Sequence, residues 1–442
     1  MTLFRPIKTE GPLIPASDTE RRRFPKRFLA LHFRPATVPE PTLRFTLTWG
    51  LGGTAVVLVM VQLITGILLK FVYEPSPVSA YASIQALMTT VPFGRLVRNL
   101  HHWCAHLLVL VVFLHLLRVF FTGAFHPPRQ FNWVIGLGQL GVVLLANFTG
   151  YLLPWDQLAY WAVTVSTGML AYLPWIGPAL EDVLVTGNDL SPETLRFFFA
   201  LHTTVVPVLL TALMGFHFWR IRKAGGLVIP RSPDEAAPPK TVRVPTLPNL
   251  LLREVVTALV VLAGVLLFST FVNAPLGEPA NPGLSPNPTK APWYFAGFQE
   301  MLLHIHPVYA VTVLPLFFGV LLVLVPYLKY DSHAGGVWFI SVKGRKAALL
   351  AAAVALVATP LGVWISGSVL PAATGAVTGG LMPFVVLLTA GAAFFLLIKR
   401  LLQASTNEAV QALFVLLATA FILLTAVNVW FRGPGMALVM PW

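Results

Sequence analysis

Cysteine is all but missing from this chain of 442 residues, where Cys104 stands alone. One thiol excludes a disulfide framework, a paired-cysteine metal site, an iron-sulfur cluster and the C-x-x-C-H attachment of covalent haem. Its own reading is small apolar filler. Charge is scarce too, at 11% of residues against 56% hydrophobic, which excludes an ordinary soluble domain. Acidic residues are the rarer sign, 17 against 30 basic, for a net charge of +13. The basic residues gather between apolar runs, where they report membrane topology rather than a nucleic-acid partner.

What is present is apolar length. Runs long enough to span a bilayer fall near 46–72, 100–121, 133–153, 195–219, 251–272, 308–328, 347–367, 382–398 and 409–430, which predicts an all-α integral membrane protein. With the N-terminus inside, the inner segments collect Arg21, Arg22, Arg23, Lys26 and Arg27, then Arg129, then Arg220, Arg222, Lys223, Arg231, Lys240 and Arg243, then Lys329, Lys343, Arg345 and Lys346, then Lys399 and Arg400. The outer loops hold few, among them Arg95, Arg98 and Lys290, so the positive-inside rule supports one alternation throughout. The expected division is a cytoplasmic arm over 1–44 without the apolar core of a cleaved signal, a four-helix domain over 45–223 and a proline-rich linker over 224–250. Beyond it come two helices with an outer loop between them over 251–330 and further membrane helices over 331–442, the last of them rich in Ala, Leu and Val with almost no buried charge. Two long outward connections, 154–194 and 273–307, are where a substrate pocket or docking face is expected.

Ionisable residues at membrane depth need a reason. In the second run His101 and His115 are 14 apart, about 21 Å along an ideal helix and about 40° in rotation. In the fourth His202 and His217 are 15 apart, about 22 Å and about 60°. Four imidazoles suit two irons with both axial positions filled, pairing His101 with His202 near the outer face and His115 with His217 near the inner. A single such histidine is equally a satisfied polar residue of a bundle; the matched quartet favours haem. Gly52 and Gly66, and again Gly136 and Gly150, repeat the spacing of 14 on the neighbouring helices, where a flat disc needs side chains to be absent. Close helix packing explains any one of these glycines but not the shared interval.

The runs RNLHHW, HLLRVFFTGAFHPPRQFNWVIG, TGYLLPWDQLAYWAVTVSTG and LHTTVVPVLLTALMGFHFWRIRK resemble cytochrome b of the cytochrome bc complexes, and most of all its b6-type branch, through the 15-residue pair and the PWDQ that ends the third helix. The resemblance is specific over about 40–225, moderate over 250–310 and faint beyond. It implies two non-covalent, bis-histidine haem b groups, with Arg98 and Arg118 at positions that hold haem propionates and Arg222 and Lys223 near an inner quinone site. His102 and His106 lack partners at matching spacing and read as packing or surface residues. Three departures stand out. Gly50 occupies the place of the cysteine that anchors an extra covalent haem in the b6-type branch, so none is expected here. Front and back halves are fused in one chain. The family's Pro-Glu-Trp-Tyr becomes Ala291, Pro292, Trp293 and Tyr294, so the usual proton-accepting carboxylate is absent, and Glu300 or His304, with His306 and Glu278 behind them, are the candidate substitutes.

The resemblance implies a quinol:cytochrome c-type oxidoreductase subunit in the cytoplasmic (inner) membrane. It would oxidise quinol, with the proline a hint of menaquinol, at the outer face and pass electrons inward in a proton-translocating Q-cycle. Implied partners are a Rieske-type iron-sulfur protein, a c-type cytochrome, membrane lipid and a second copy of the complex, with no nucleic acid. Two alternatives stay open: the haem-bearing membrane anchor of a quinone-linked dehydrogenase, and a haemless structural or transport subunit.

Overall fold

The computed structural model describes residues 17, 19–20, 35–185, 190–231, 241–331, 335–368 and 375–440. Most of the expected arm, with Arg21, Arg22, Arg23, Lys26 and Arg27, lies outside these residues, as does Lys240. Among the described residues nine helices are long and apolar enough to cross a membrane.

The described elements run from a short strand β1 (Thr37–Pro39) to α1 (Leu51–Lys70), the surface helix α2 (Ala80–Thr89), α3 (Gly94–Phe121) and α4 (Gln130–Tyr151). Two short helices, α5 (Gln157–Gly168) and α6 (Gly177–Val185), occupy the first long connection, and α7 (Pro192–Lys223) returns across the bundle. Asp156 caps α5 through the amide of Ala159, and Ser191 with Thr194 forms a capping box on α7, so both turns are written in the local sequence. Strand β2 (Arg243–Pro245) pairs antiparallel with β1 and ties the entry of α1 to that of α8 (Thr246–Phe271). Then follow α9 (Trp293–Leu302), α10 (Val308–Tyr327), α11 (Val342–Gly367), α12 (Val377–Leu401) and α13 (Thr406–Phe431).

The central core joins Leu58 and Val59 of α1, Cys104 and Leu108 of α3, Val143 of α4, Val206 of α7, Val265 of α8 and Tyr294 of α9. It is a plug of branched side chains between the two histidine levels, and Cys104 is buried filler within it.

The last helices depart from expectation. Ala347 and Ala351 of α11 meet Ala409 and Ala412 of α13, small residues that let the backbones approach closely. Helix α13 also packs on α9, so the C-terminal helices support the chain's own outer segment. Nor is charge almost absent from their interior: Glu408 and Arg432 are both buried. Glu408 belongs to the Ser405 capping box that starts α13.

A second departure concerns α7. On an ideal helix the 15-residue interval would turn His217 away from His202 by about 60°. The structure places a π-helical turn at Leu201–Val205, around His202 itself. A π turn absorbs one extra residue, so an interval of 15 does the work of 14. Pro207 follows closely and has no N–H to give the carbonyl of Thr203, which favours the wider turn.

Candidate functional site: two histidine levels and an outer pocket

At one level the rings of His101 on α3 and His202 on α7 face each other with centroids 6.1 Å apart. Two imidazoles binding one metal ion, each nitrogen about 2 Å from it, put their centroids roughly 6 Å apart. The pair therefore has the separation that a shared iron requires. Both rings are also oriented from behind. Thr65 Oγ1 donates to the Val61 carbonyl at 2.7 Å and lies 2.8 Å from His101 Nδ1, so its lone pair receives an Nδ1 proton. His202 Nδ1 lies 3.0 Å from the Ala146 carbonyl, which can only accept. Thr149 Oγ1 stands 3.2 Å from the same nitrogen. With Nδ1 protonated on both rings, Nε2 carries the lone pair that a metal takes. Spacing of the histidines does not reveal Thr65, Ala146 or Thr149; for the two threonines the available signal is their place immediately before Gly66 and Gly150.

The four glycines close the arrangement. A Cβ on Gly66 would come 3.4 Å from His101 Cε1, and one on Gly150 only 2.5 Å from His202 Cε1. At the other level a Cβ on Gly52 would come 3.5 Å from His115 Cε1, and one on Gly136 would come 3.8 Å from His217 Cε1. Each histidine thus has one glycine opposite it, from α1 for the α3 pair and from α4 for the α7 pair. His115 and His217 lie within Coulombic reach of each other, and His115 Nδ1 is buried without a hydrogen bond. Residues at both levels thus fit a flat metal-bearing group: paired lone-pair donors, walls without side chains, and at the second level a buried polar atom left unpartnered.

Arg118 is buried, with Nε donating to the Leu47 carbonyl at 2.7 Å and Nη2 unpartnered, a vacancy that a carboxylate would satisfy. Arg98 is differently engaged. Its Nη1 and Nη2 donate to the carbonyls of Ala274 and Pro275 at 2.8 and 2.7 Å, tying α3 to the loop after α8. A propionate at Arg98 would share these donors. Arg222 and Lys223 are exposed at the end of α7, and the Lys223 ammonium lies 5.1 Å from the Trp219 ring centre.

Gly50 adopts φ +65°, the left-handed turn that starts α1, and a Cβ there would press on Thr257 at 3.0 Å. Glycine suits that backbone, and the position offers no thiol.

The second long connection meets the first. Tyr151, Ala162 and Ser166 face Pro292, Tyr294 and Phe295 around a cavity of about 10 Å³. Pro292 caps α9, Tyr294 is buried, and burial raises its phenol pKa. Trp293 points elsewhere, donating from Nε1 to His106 Nδ1 at 2.8 Å, so His106 is a hydrogen-bond partner rather than mere packing.

Glu300 is fully buried and forked by Arg432, whose Nε donates to both oxygens at 3.1 and 3.0 Å and whose Nη2 lies 2.5 Å from Oε1. His304, in the turn beyond α9, adds a contact at 3.0 Å and Asn428 one at 3.4 Å. Burial alone would raise the carboxyl's pKa, but the hydrogen bonds from His304 and Arg432 outweigh it and hold the pKa below its ordinary value. A carboxylate so held is a poor proton acceptor, and neither Glu300 nor His304 lines the cavity at Tyr294. The structure argues against the substitute role expected of them.

The family model "Cytochrome b/b6/petB" matches residues 38–225. The chain is 40% identical over 187 residues to cytochrome b6 of Heliobacterium modesticaldum, covering 42% of this chain and 88% of that one. It is 43% identical over 175 residues to cytochrome b6 of a Synechococcus species, covering 40% of this chain and 80% of that one. A solved "Hyperthermophilic respiratory Complex III" chain shares the fold, with a TM-score of 0.61 over 86% of this chain and 92% of that one at 24% identity. By its relatives and its long apolar helices, the chain belongs to the cytochrome b/b6 family, as a multi-pass membrane cytochrome of electron transport whose family cofactor is haem b.

Proposed function

We infer that this chain is the di-haem cytochrome b subunit of a bc-type quinol oxidoreductase in the cytoplasmic membrane, with its N-terminus inside. The observation that carries the reading is the facing pair His101–His202 together with a glycine opposed to each of the four histidines, at two levels about 21 Å apart by helical rise. His101 with His202, and His115 with His217, would hold two haem b groups by their Nε2 atoms. Bound there, the groups supply one-electron carriers, one toward each face of the membrane.

The chain's own residues do the rest. Quinol would enter the outer pocket between α5 and α9, where the hydroxyls of Tyr151, Ser166 and Tyr294 can hydrogen-bond its ring oxygens. The cavity has room for about one water, so admitting a ring requires these helices to part. Oxidation releases two electrons and two protons; one electron leaves to a Rieske-type iron-sulfur partner and thence a c-type cytochrome, and the other crosses inward to a quinone near Arg222 and Lys223. With Glu300 paired, protons leave through these hydroxyls and water rather than through a carboxylate of α9. Menaquinol is the substrate suggested by Pro292, and a dimeric complex is the expected assembly.

The test is quinol-dependent cytochrome c reduction by the complex, with and without inhibitors of outer quinol sites. Inhibitable turnover supports the reading. Haem reduction indifferent to such inhibitors would favour the anchor of a dehydrogenase.

A further inference from the structure

Trp293 links the outer segment to a second, larger space. On the other side of its indole lies a cavity of about 480 Å³ between α3, α8 and α9. That volume falls within the range of ligand pockets, roughly 300–1,000 Å³. Trp103, Phe268 and Trp293 supply flat walls, His106 and Gly264 line it too, and leucines and valines complete it.

Its hydrogen-bonding capacity reduces to one group. Trp103 Nε1 donates to the Val272 carbonyl at 2.9 Å, and Trp293 Nε1 donates to His106 Nδ1 at 2.8 Å. Indole N–H is a donor only, so His106 Nδ1 is the acceptor and the ring's proton sits on Nε2. Among the described residues that Nε2–H has no hydrogen-bond partner. Among the described residues no charged side chain lines the space, which disfavours an ionic headgroup.

We propose that this cavity is a second quinone-class site, in which a flat lipid-soluble ring lies between Trp103, Phe268 and Trp293 and accepts a hydrogen bond from His106 Nε2–H at a ring carbonyl. A hydrocarbon tail alone would leave that donor unsatisfied. The choice of a quinone among flat acceptors rests on the functional reading above; the cavity and its single donor do not. Through Trp293 the site adjoins Tyr294 of the outer pocket by one residue, so it is placed to hold quinone beside the reacting pool.

The test is photolabelling of the purified holocomplex with a short-chain azido-naphthoquinone, mapped to peptides. Gly264→Leu puts a branched side chain into the cavity, and its Cβ meets nothing within 4 Å. His106→Phe keeps the ring and removes the donor. Label on 103–110 or 261–268 should fall about tenfold in either variant, the scale of one hydrogen bond in a low-dielectric site, while label on 151–166 and the haem spectrum hold. Label in the cavity unchanged in both variants, or lost only in Gly264→Leu as a lipid-tail crevice would behave, overturns the assignment. Label confined to 151–166 overturns it too and leaves the outer-pocket reading standing; no label anywhere, with no quinol turnover, overturns both.

Discussion

His202 leans on Gly150: a methyl group at that glycine would lie 2.5 Å from the ring's Cε1, closer than real side-chain contacts allow, and 3.1 Å from Nε2. At the other three glycines an added methyl group would lie 3.4 to 3.8 Å from the histidine ring, at ordinary contact distance. The four positions are therefore unequal although their spacing is regular.

Gly150→Ala should accordingly displace the haem proposed at His101 and His202 while leaving the other in place. Gly136→Ala, with the longest contact, should leave both. Haem content and absorption spectra of the two variants check this; equal loss in both would show that the glycines act only through general helix packing.

Thr65→Val removes the acceptor behind His101. Losing an outer-shell partner of a metal ligand typically costs about 10 to 100-fold in affinity, so this variant should release one haem preferentially. Titrating apoprotein with haem measures it, and Thr65→Ser should retain wild-type affinity.

Arg432→Gln leaves the buried Glu300 carboxylate without its main partner. Breaking a buried pair from one side costs about 3–5 kcal/mol, and Glu300→Gln with Arg432→Gln should recover part of it. Thermal unfolding in detergent reads the difference. The sign with pH follows from the depressed Glu300 pKa: the pair's stabilisation is fully present above the ordinary carboxylate pKa, about 4.3, and is lost as pH falls through the lower folded value. Wild-type stability should therefore fall more steeply than that of the double variant below about pH 4.

Tyr294→Phe removes one hydroxyl from the outer pocket without changing its shape. Quinol oxidation should drop about tenfold, the value of a single buried hydrogen bond, with both haems retained. Unchanged steady-state turnover would remove Tyr294 from the quinol's contacts.

The histidines and glycines were legible in the sequence because a helix imposes its period: residues 14 apart share a face whatever surrounds them. The exception, the interval of 15 in α7, hid a π turn, which depends on Pro207 and neighbouring helices rather than on periodicity. Thr65 behind His101 and Ala146 behind His202 were less visible, since they depend on which turns of two helices meet. The Glu300–Arg432 pair joins residues 132 positions apart, and no local pattern announces it. Trp293 carried a recognisable motif, yet its partner His106 emerged only once α9 was seen against α3.

The most direct measurement is haem stoichiometry and the redox-titrated spectrum of the purified chain, wild type beside His115→Leu. Two b-type haems should titrate at separate potentials in the wild type, with one lost in the variant and the other unchanged. One haem or none in the wild type, or loss of both haems in a folded variant, would contradict the paired-histidine arrangement.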